Sequence, residues 1–153
     1  MRYTTRLVTV AVVAAFIPAV TLAVLAPDAS ASTPRGTMVH LTDTDRGEHG
    51  VADVKIDRLL CRYARQHSRA MVDAGYIYHS SDTQLRAALG DRGWWIAGEN
   101  VGVGTSLSAL EDAFMASPGH RENILRPTYH HVAVGVIRTT DPDRVWVTVI
   151  FWG

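Results

Sequence analysis

The chain has 153 residues, of which 15 are basic and 15 acidic, so its formal net charge is zero. This balance argues against nucleic-acid binding through phosphate neutralisation, and we expect no basic stripe. The single cysteine excludes an intramolecular disulfide, so one apolar core has to stabilise the fold.

The start of the chain differs from the rest. Arg2 and Arg6 form a short positive stretch, residues 7–26 carry no charge, and an Ala-Ser-Ala sequence follows. This pattern predicts a secretory signal peptide over residues 1–31, cleaved after Ala31. The alternative is an uncleaved anchor, since about 20 apolar residues can span a bilayer. We favour cleavage and expect a secreted, extracellular monomer with no stable membrane span once the signal has been removed.

The next segment is polar and rich in Gly, Thr and Asp. We predict a flexible tail over residues 32–39 and a domain over residues 40–153. A first helix is expected to start at about Met38 and to fray at Gly47.

A long helix is predicted from Asp53 to Ala74, because apolar residues recur there at spacings of three and four. Asp53 or Asp57 is a suitable amino-terminal cap, and Gly75 ends the helix. The outer face of this helix carries the arginines, which are Arg58, Arg62, Arg65 and Arg69.

Two polar residues fall on the apolar stripe of the same helix. His67 is interpreted as a core or boundary histidine rather than a ligand. Cys61 is interpreted as a small buried hydrophobic residue, the usual role of a lone thiol at such a position.

His79 lies at the mouth between this helix and a shorter one predicted over residues 83–89. Ser81 or Asp82 can cap the shorter helix. The pattern alone leaves His79 equally open to a structural or a functional role.

A strand predicted from Trp94 to Val103 contains Glu99 within an apolar run. A lone buried charge is costly, so this carboxylate is either paired, displayed in a cleft, or exposed through a bulge at Gly98. The glycines that follow fit a strand-to-helix turn before a helix over residues 107–116.

The sequence Ser117-Pro118-Gly119-His120 ends that helix. Proline cannot continue a helix interior, and glycine permits a sharp turn, so we expect the turn to present His120 between two apolar anchors. Two alternating segments follow, residues 131–139 and 144–152, with a turn between them, and these predict a hairpin. Both faces of the hairpin are apolar, so helices should pack on both sides.

Several short motifs follow one another in a definite order. They are Ala64-x-x-His67-Ser68-x-x-Met71, Tyr78-His79-Ser80, Gly98-Glu99-Asn100, Ser117-Pro118-Gly119-His120-Arg121-x-Asn123-Ile124-Leu125, Val134-Gly135-Val136 and Trp146-x-x-x-x-Phe151. Together they resemble the CAP superfamily, also called SCP-like, which includes cysteine-rich secretory proteins, antigen 5 and plant pathogenesis-related proteins. The similarity is closest to its short secreted bacterial branch and covers about residues 40–153.

The resemblance implies an α+β fold, a three-layer α-β-α sandwich around a small, mostly antiparallel sheet. It also implies a cleft that binds a divalent cation, commonly zinc, through two histidines, which match His79 and His120 here. The second cleft glutamate of many eukaryotic members has no clear counterpart, although Ser117, Glu111 and Glu122 lie in that region of the sequence.

The resemblance also suggests roles around the metal. Glu99 is expected in the second shell, orienting an imidazole, with general base toward metal-bound water as its alternative role. Glu122 and Asn100 are also placed in the second shell, and no other cofactor is expected.

Three functions follow from this assignment. The preferred one is an extracellular binding module for a small or envelope ligand, without catalytic residues. The alternatives are a zinc-assisted hydrolase with Glu99 as base, and a structural or interaction domain without metal.

Overall fold

A computed structural model describes residues 33–153, so the predicted signal peptide lies outside the described residues. None of the helices found between residues 33 and 153 has the length and apolar character that a bilayer crossing requires. The elements are α1 (Pro34–Glu48), β1 (Lys55–Ile56), α2 (Leu60–Ala74), α3 (Asp82–Leu89), β2 (Ala97–Gly104), α4 (Leu107–Ala116), α5 (Pro118–Leu125), β3 (His131–Thr140) and β4 (Asp143–Trp152).

The sheet has four strands in the order β1-β3-β4-β2. The short β1 runs parallel to β3, whereas β3–β4 and β4–β2 are antiparallel. The predicted hairpin is therefore confirmed as β3 and β4, and β2 forms one edge of the sheet.

Helices cover both faces of the sheet, as the apolar faces of the hairpin predicted. One core cluster joins Met38 of α1, Phe114 of α4 and Ile124 of α5 to the face of β4 that carries Val147. The other cluster places α2 and α3 against the face that carries Ile150. This arrangement confirms the predicted α+β fold with three layers.

The first helix begins earlier than predicted. The Thr33 hydroxyl accepts a hydrogen bond from the Gly36 amide at 3.1 Å, and Pro34 occupies the first turn. Met38 is fully buried. The predicted flexible tail over residues 32–39 is therefore wrong for residues 34–39, and the domain begins before residue 40.

The long helix starts later than predicted, because β1 occupies the segment just before it. Asp57 is confirmed as its cap, since Oδ1 accepts hydrogen bonds from the amides of Leu59 and Leu60 at 3.0 and 2.9 Å. Gly75 ends α2 with a left-handed backbone, at φ 79°.

The expected turn at Gly119 is wrong. Pro118 stands at the first position of a new helix, α5, where a missing N–H costs nothing and the fixed φ suits the helix. Gly119 has no positive φ, and His120 lies in the first turn of α5. The two helices α4 and α5 meet at Ser117.

Candidate functional site

The candidate site, which we call the cleft after the sequence prediction, is a cluster at the edge strand β2 of three side chains from separate parts of the chain. Glu99 comes from β2, His79 from the segment between α2 and α3, and His120 from the first turn of α5. Glu99 is buried, with 8% of its surface exposed, His120 is partly buried and His79 is exposed.

The Glu99 carboxylate accepts three hydrogen bonds. Oε2 accepts from the Ser80 amide at 2.8 Å and lies 3.0 Å from His79 Nδ1. Oε1 accepts from the Ser80 hydroxyl at 2.7 Å. A buried carboxylate needs such partners, so the burial of Glu99 is explained without a bulge at Gly98.

These bonds also determine how the His79 ring is oriented. A carboxylate can only accept, so Nδ1 carries the proton and donates to Glu99. In the neutral ring the lone pair is then on Nε2, and 59% of this side chain is exposed. His79 thus presents a free ligating nitrogen at the cleft.

His120 is the second imidazole of the cleft. Its ring packs against Phe114, with ring centroids 4.9 Å apart. Burial lowers the pKa of His120, and the nearby His79 lowers that pKa further. Both effects favour the neutral imidazole, which is the form that binds metals.

Two asparagines hold the backbone beneath the cleft. Asn100 donates to the carbonyl of His120 at 3.0 Å. Asn123 donates to Asn100 Oδ1 at 2.8 Å and to the Glu99 carbonyl at 3.4 Å. Asn100 therefore acts on the main chain of His120 and not on its ring.

Position 98 has no room for a side chain, because β2 lies very close to Asn123 and Tyr129 there. A Cβ at this position would lie 2.4 Å from Asn123 Oδ1 and 2.6 Å from the Tyr129 hydroxyl. The Gly-Glu-Asn motif thus combines close contact with α5, a buried acid and an amide that holds His120.

Other residues suggested by the sequence lie elsewhere. Glu122 of α5 is ion-paired with Arg126, the residue that follows this helix, and 67% of the Glu122 side chain is exposed. Glu111 faces α1, where its Oε1 accepts from the Thr42 hydroxyl at 2.9 Å. Ser117 makes no side-chain hydrogen bond at the start of α5. The structure gives none of the three a contact with His79 or His120.

The sequence did not predict the side chains that hold the Glu99 carboxylate in place. The Tyr63 hydroxyl donates to Ser80 Oγ at 2.8 Å, so a chain of hydrogen bonds links α2 to the carboxylate. His67 is buried and donates from Nε2 to the Tyr78 carbonyl at 2.9 Å, which confirms it as a core histidine. Tyr63 and His67 lie one turn apart on the face of α2 toward the sheet, and this spacing was the sequence pattern that could have indicated polar contacts there.

His79 and His120 are the two side chains of this site whose ring nitrogens could ligate a cation. Between residues 33 and 153 no cluster of three or more His, Cys, Asp or Glu side chains could hold a metal ion. Glu99 already accepts three hydrogen bonds, so it would lie behind His79 and not bind the ion itself. Water or a ligand would have to complete the coordination shell.

Comparison with known sequences gives a family match over most of the chain. The model of the cysteine-rich secretory protein family, CAP, matches residues 39–151. An uncharacterized Bacillus subtilis protein, YkwD, is 33% identical over 116 residues, which cover 72% of this chain and 45% of that protein. The B. subtilis membrane protein YlbC is 30% identical over 112 residues, covering 70% and 32%. The chain therefore spans less than half the length of these relatives.

Solved structures show the same fold. An extracellular Bacillus anthracis protein containing an SCP domain is 27% identical with a TM-score of 0.65, covering 78% of this chain and 40% of that one. An outer surface protein from Borrelia burgdorferi is 18% identical with a TM-score of 0.66, covering 76% and 89%. At that identity, the likeness to the Borrelia protein concerns the fold alone.

Proposed function

The chain belongs to the cysteine-rich secretory protein (CAP) family, and from this premise we propose that it is an extracellular binding module whose cleft binds a divalent cation, zinc above all, between His79 and His120. The predicted signal peptide supports export. So does the description of a similar protein, 27% identical, as extracellular.

The observation that carries the proposal is the hydrogen bonding of Glu99. A general base needs an oxygen within reach of the proton that it removes. Both oxygens of Glu99 are instead used by Ser80 and His79. This supports an orienting role, in which the carboxylate fixes the tautomer of His79 and makes Nε2 a better ligand.

The remaining residues hold the second ligand in place. Asn100 and Asn123 fix the backbone of His120, and Phe114 packs on its ring. A bound zinc ion would supply a fixed positive charge with open positions for a ligand donor atom. The ligand that we expect is a small or envelope molecule with such a donor.

The first test is a zinc titration followed by thermal unfolding. A ligand at about 100 times its Kd stabilises the folded state by about 2.7 kcal/mol, so the melting temperature should rise by several degrees. His79→Ala and His120→Ala should each abolish the rise. His130→Ala, an exposed histidine that makes no ring contact with the cleft, is the matched control. An unchanged melting temperature with zinc, or a rise that survives both variants, would contradict the proposal.

Glu99→Gln separates the orienting role from catalysis. Loss of an outer-shell partner of a metal-bound histidine typically weakens metal affinity about 10–100-fold, and we expect a loss in that range. Isothermal calorimetry measures it, with circular dichroism to verify folding. Unchanged zinc affinity combined with loss of a measurable hydrolytic turnover would instead identify Glu99 as a base. If both histidine variants lower stability equally in chelator and in zinc, the cluster is purely structural.

A further inference from the structure

A second surface with binding character lies on the outer side of α2, away from the histidine cleft. A groove of about 430 Å³ is lined by Arg62, Arg65, Gln66 and Arg69, with Ile137 of β3 at its base. The four polar residues are exposed, whereas Ile137 is buried. Three guanidinium groups therefore line one side of a groove with an apolar base.

These guanidinium groups lack acidic partners. Within residues 33–153, none of the three lies within 4 Å of a carboxylate. Arg65 makes a long contact with the Val136 carbonyl at 3.5 Å. Asp73 is the acidic residue of α2 and lies one turn beyond Arg69. It forms no ion pair with any residue between positions 33 and 153.

The spacing of the arginines is unfavourable for the helix itself. Arg62 and Arg65 are three residues apart, and Arg65 and Arg69 are four apart, so each pair lies on neighbouring turns. Like charges at these spacings destabilise a helix. Packing does not require this arrangement, because all three side chains point into solvent.

The zero net charge of the chain does not mean an even distribution of charge over its surface. Acidic residues gather on the opposite layer instead, with Asp43, Asp45 and Glu48 in α1 and Asp112 in α4. The expectation that the chain lacks a basic stripe is therefore wrong for α2. The two layers carry opposite charge, and an anion approaching α2 meets a positive face.

We propose that this face, the α2 arginine groove, binds a linear polymer of phosphate groups. A helix rises about 1.5 Å per residue, so Arg62 and Arg69 lie about 10 Å apart along the axis. That separation suits a chain of repeated charges better than one small anion. Each guanidinium can hold a phosphate through paired hydrogen bonds.

The composition of the groove distinguishes a phosphate chain from a single-stranded nucleic acid. Proteins that bind single strands provide aromatic rings on which the bases stack. The residues lining this groove include no aromatic side chain. Recognition would therefore depend on the charged backbone alone, and bases would add nothing to the affinity.

The test compares two triple variants of equal net charge in calorimetric titrations with long-chain inorganic polyphosphate. Arg62→Gln, Arg65→Gln and Arg69→Gln together should weaken binding about tenfold or more. They should also reduce the slope of log affinity against log salt by about two to three. The control combines Arg86→Gln, Arg138→Gln and Arg144→Gln, which lie on other elements, and should bind within about threefold of the parent.

Thermal unfolding provides a second readout. Without ligand, the groove variant should melt at or above the parent temperature, because like-charge repulsion has been removed. Polyphosphate should raise the melting temperature of the parent and the control, and should raise that of the groove variant clearly less. Equal weakening in both triple variants would overturn the proposal, as would tighter binding of a single-stranded oligonucleotide of matched charge. None of these readouts uses zinc, so they are independent of the histidine cleft.

Discussion

Burial strongly changes the acidity of the Glu111 carboxyl group. Only 2% of its surface is exposed, and Oε1 accepts a hydrogen bond from Thr42 in α1. Oε2 is buried and has no partner within residues 33–153. Burial, together with the neighbouring Asp45 and Asp112, raises the pKa of Glu111 to about 7, although the hydrogen bond from Thr42 lowers it. The folded protein favours the protonated carboxyl, because the charged carboxylate would have to be desolvated and only the protonated form can donate a hydrogen bond.

This pKa predicts that the protein loses stability as the pH rises. The folded state holds the proton of Glu111 between its unfolded pKa, near 4.5, and about 7, so the contribution is complete below 4.5 and is lost through neutral pH. The total is roughly 3 kcal/mol. Glu111→Gln should remove this component of the pH dependence. Urea unfolding of both proteins at pH 5 and pH 8 measures the difference, and parallel pH curves would show that Glu111 does not titrate in this range.

Among the elements, α2 and β3 approach each other closely at Gly135. A Cβ on Gly135 would lie 2.2 Å from the Ala64 carbonyl carbon and 2.3 Å from the Arg65 amide nitrogen. Both are main-chain atoms, so no side-chain rotation can relieve the clash. The Ser68 hydroxyl contacts the Gly135 carbonyl at 3.1 Å and Thr148 Oγ1 at 2.9 Å, which fixes α2 to two strands.

Gly135→Ala should therefore destabilise the fold more than an ordinary overpacked site. Such sites cost about 1–3 kcal/mol, and we expect the upper end or beyond because backbone must move. Gly119→Ala is the matched control, since Gly119 lies in α5 with nothing within 4 Å of the added atom. It should stabilise the protein by about 0.5–1 kcal/mol. Midpoints of chemical denaturation should move in opposite directions, and a neutral Gly135→Ala would mean that α2 can shift away from β3.

Sequence periodicity predicted the elements whose buried faces are apolar. The helix α4 was predicted with its observed bounds, and the β3–β4 hairpin with its strands and both packed faces. Periodicity failed for α1, because two of the residues that it buries, Thr42 and Arg46, are polar. It also failed at α5, because a proline can begin a helix as well as end one.

The site could be predicted only in part. The family resemblance, which depends on the order of the motifs, predicted that His79, Glu99 and His120 lie close together. The structure places His79 in hydrogen-bond contact with Glu99. The hydrogen-bond chain through Tyr63 and Ser80 was missed. It joins side chains from distant segments, and no local pattern encodes such a contact.

At the scale of the whole molecule, a buried guanidinium holds distant segments together. Arg46 is 1% exposed and lies near the end of α1. Its Nε donates to the Ala52 carbonyl at 2.7 Å, Nη1 donates to the Ile124 and Arg126 carbonyls at 2.6 and 3.2 Å, and Nη2 donates to the Tyr129 carbonyl at 3.0 Å. One side chain thus satisfies carbonyls after α1, at the end of α5 and before β3.

Arg46→Met tests whether this buried cation stabilises the fold or only fills space. Methionine is apolar, shorter and without a donor, so it would leave four carbonyls short of a partner. We expect a loss of about 3 kcal/mol or more in the free energy of unfolding. Arg46→Lys keeps the charge but cannot reach the four acceptors with one planar group, so it should recover less than half of that loss. Arg58→Met, at an exposed position, should change stability by less than about 0.5 kcal/mol. If Arg46→Met unfolds at the parent urea concentration, water can replace the guanidinium, and packing alone holds α1 against α5.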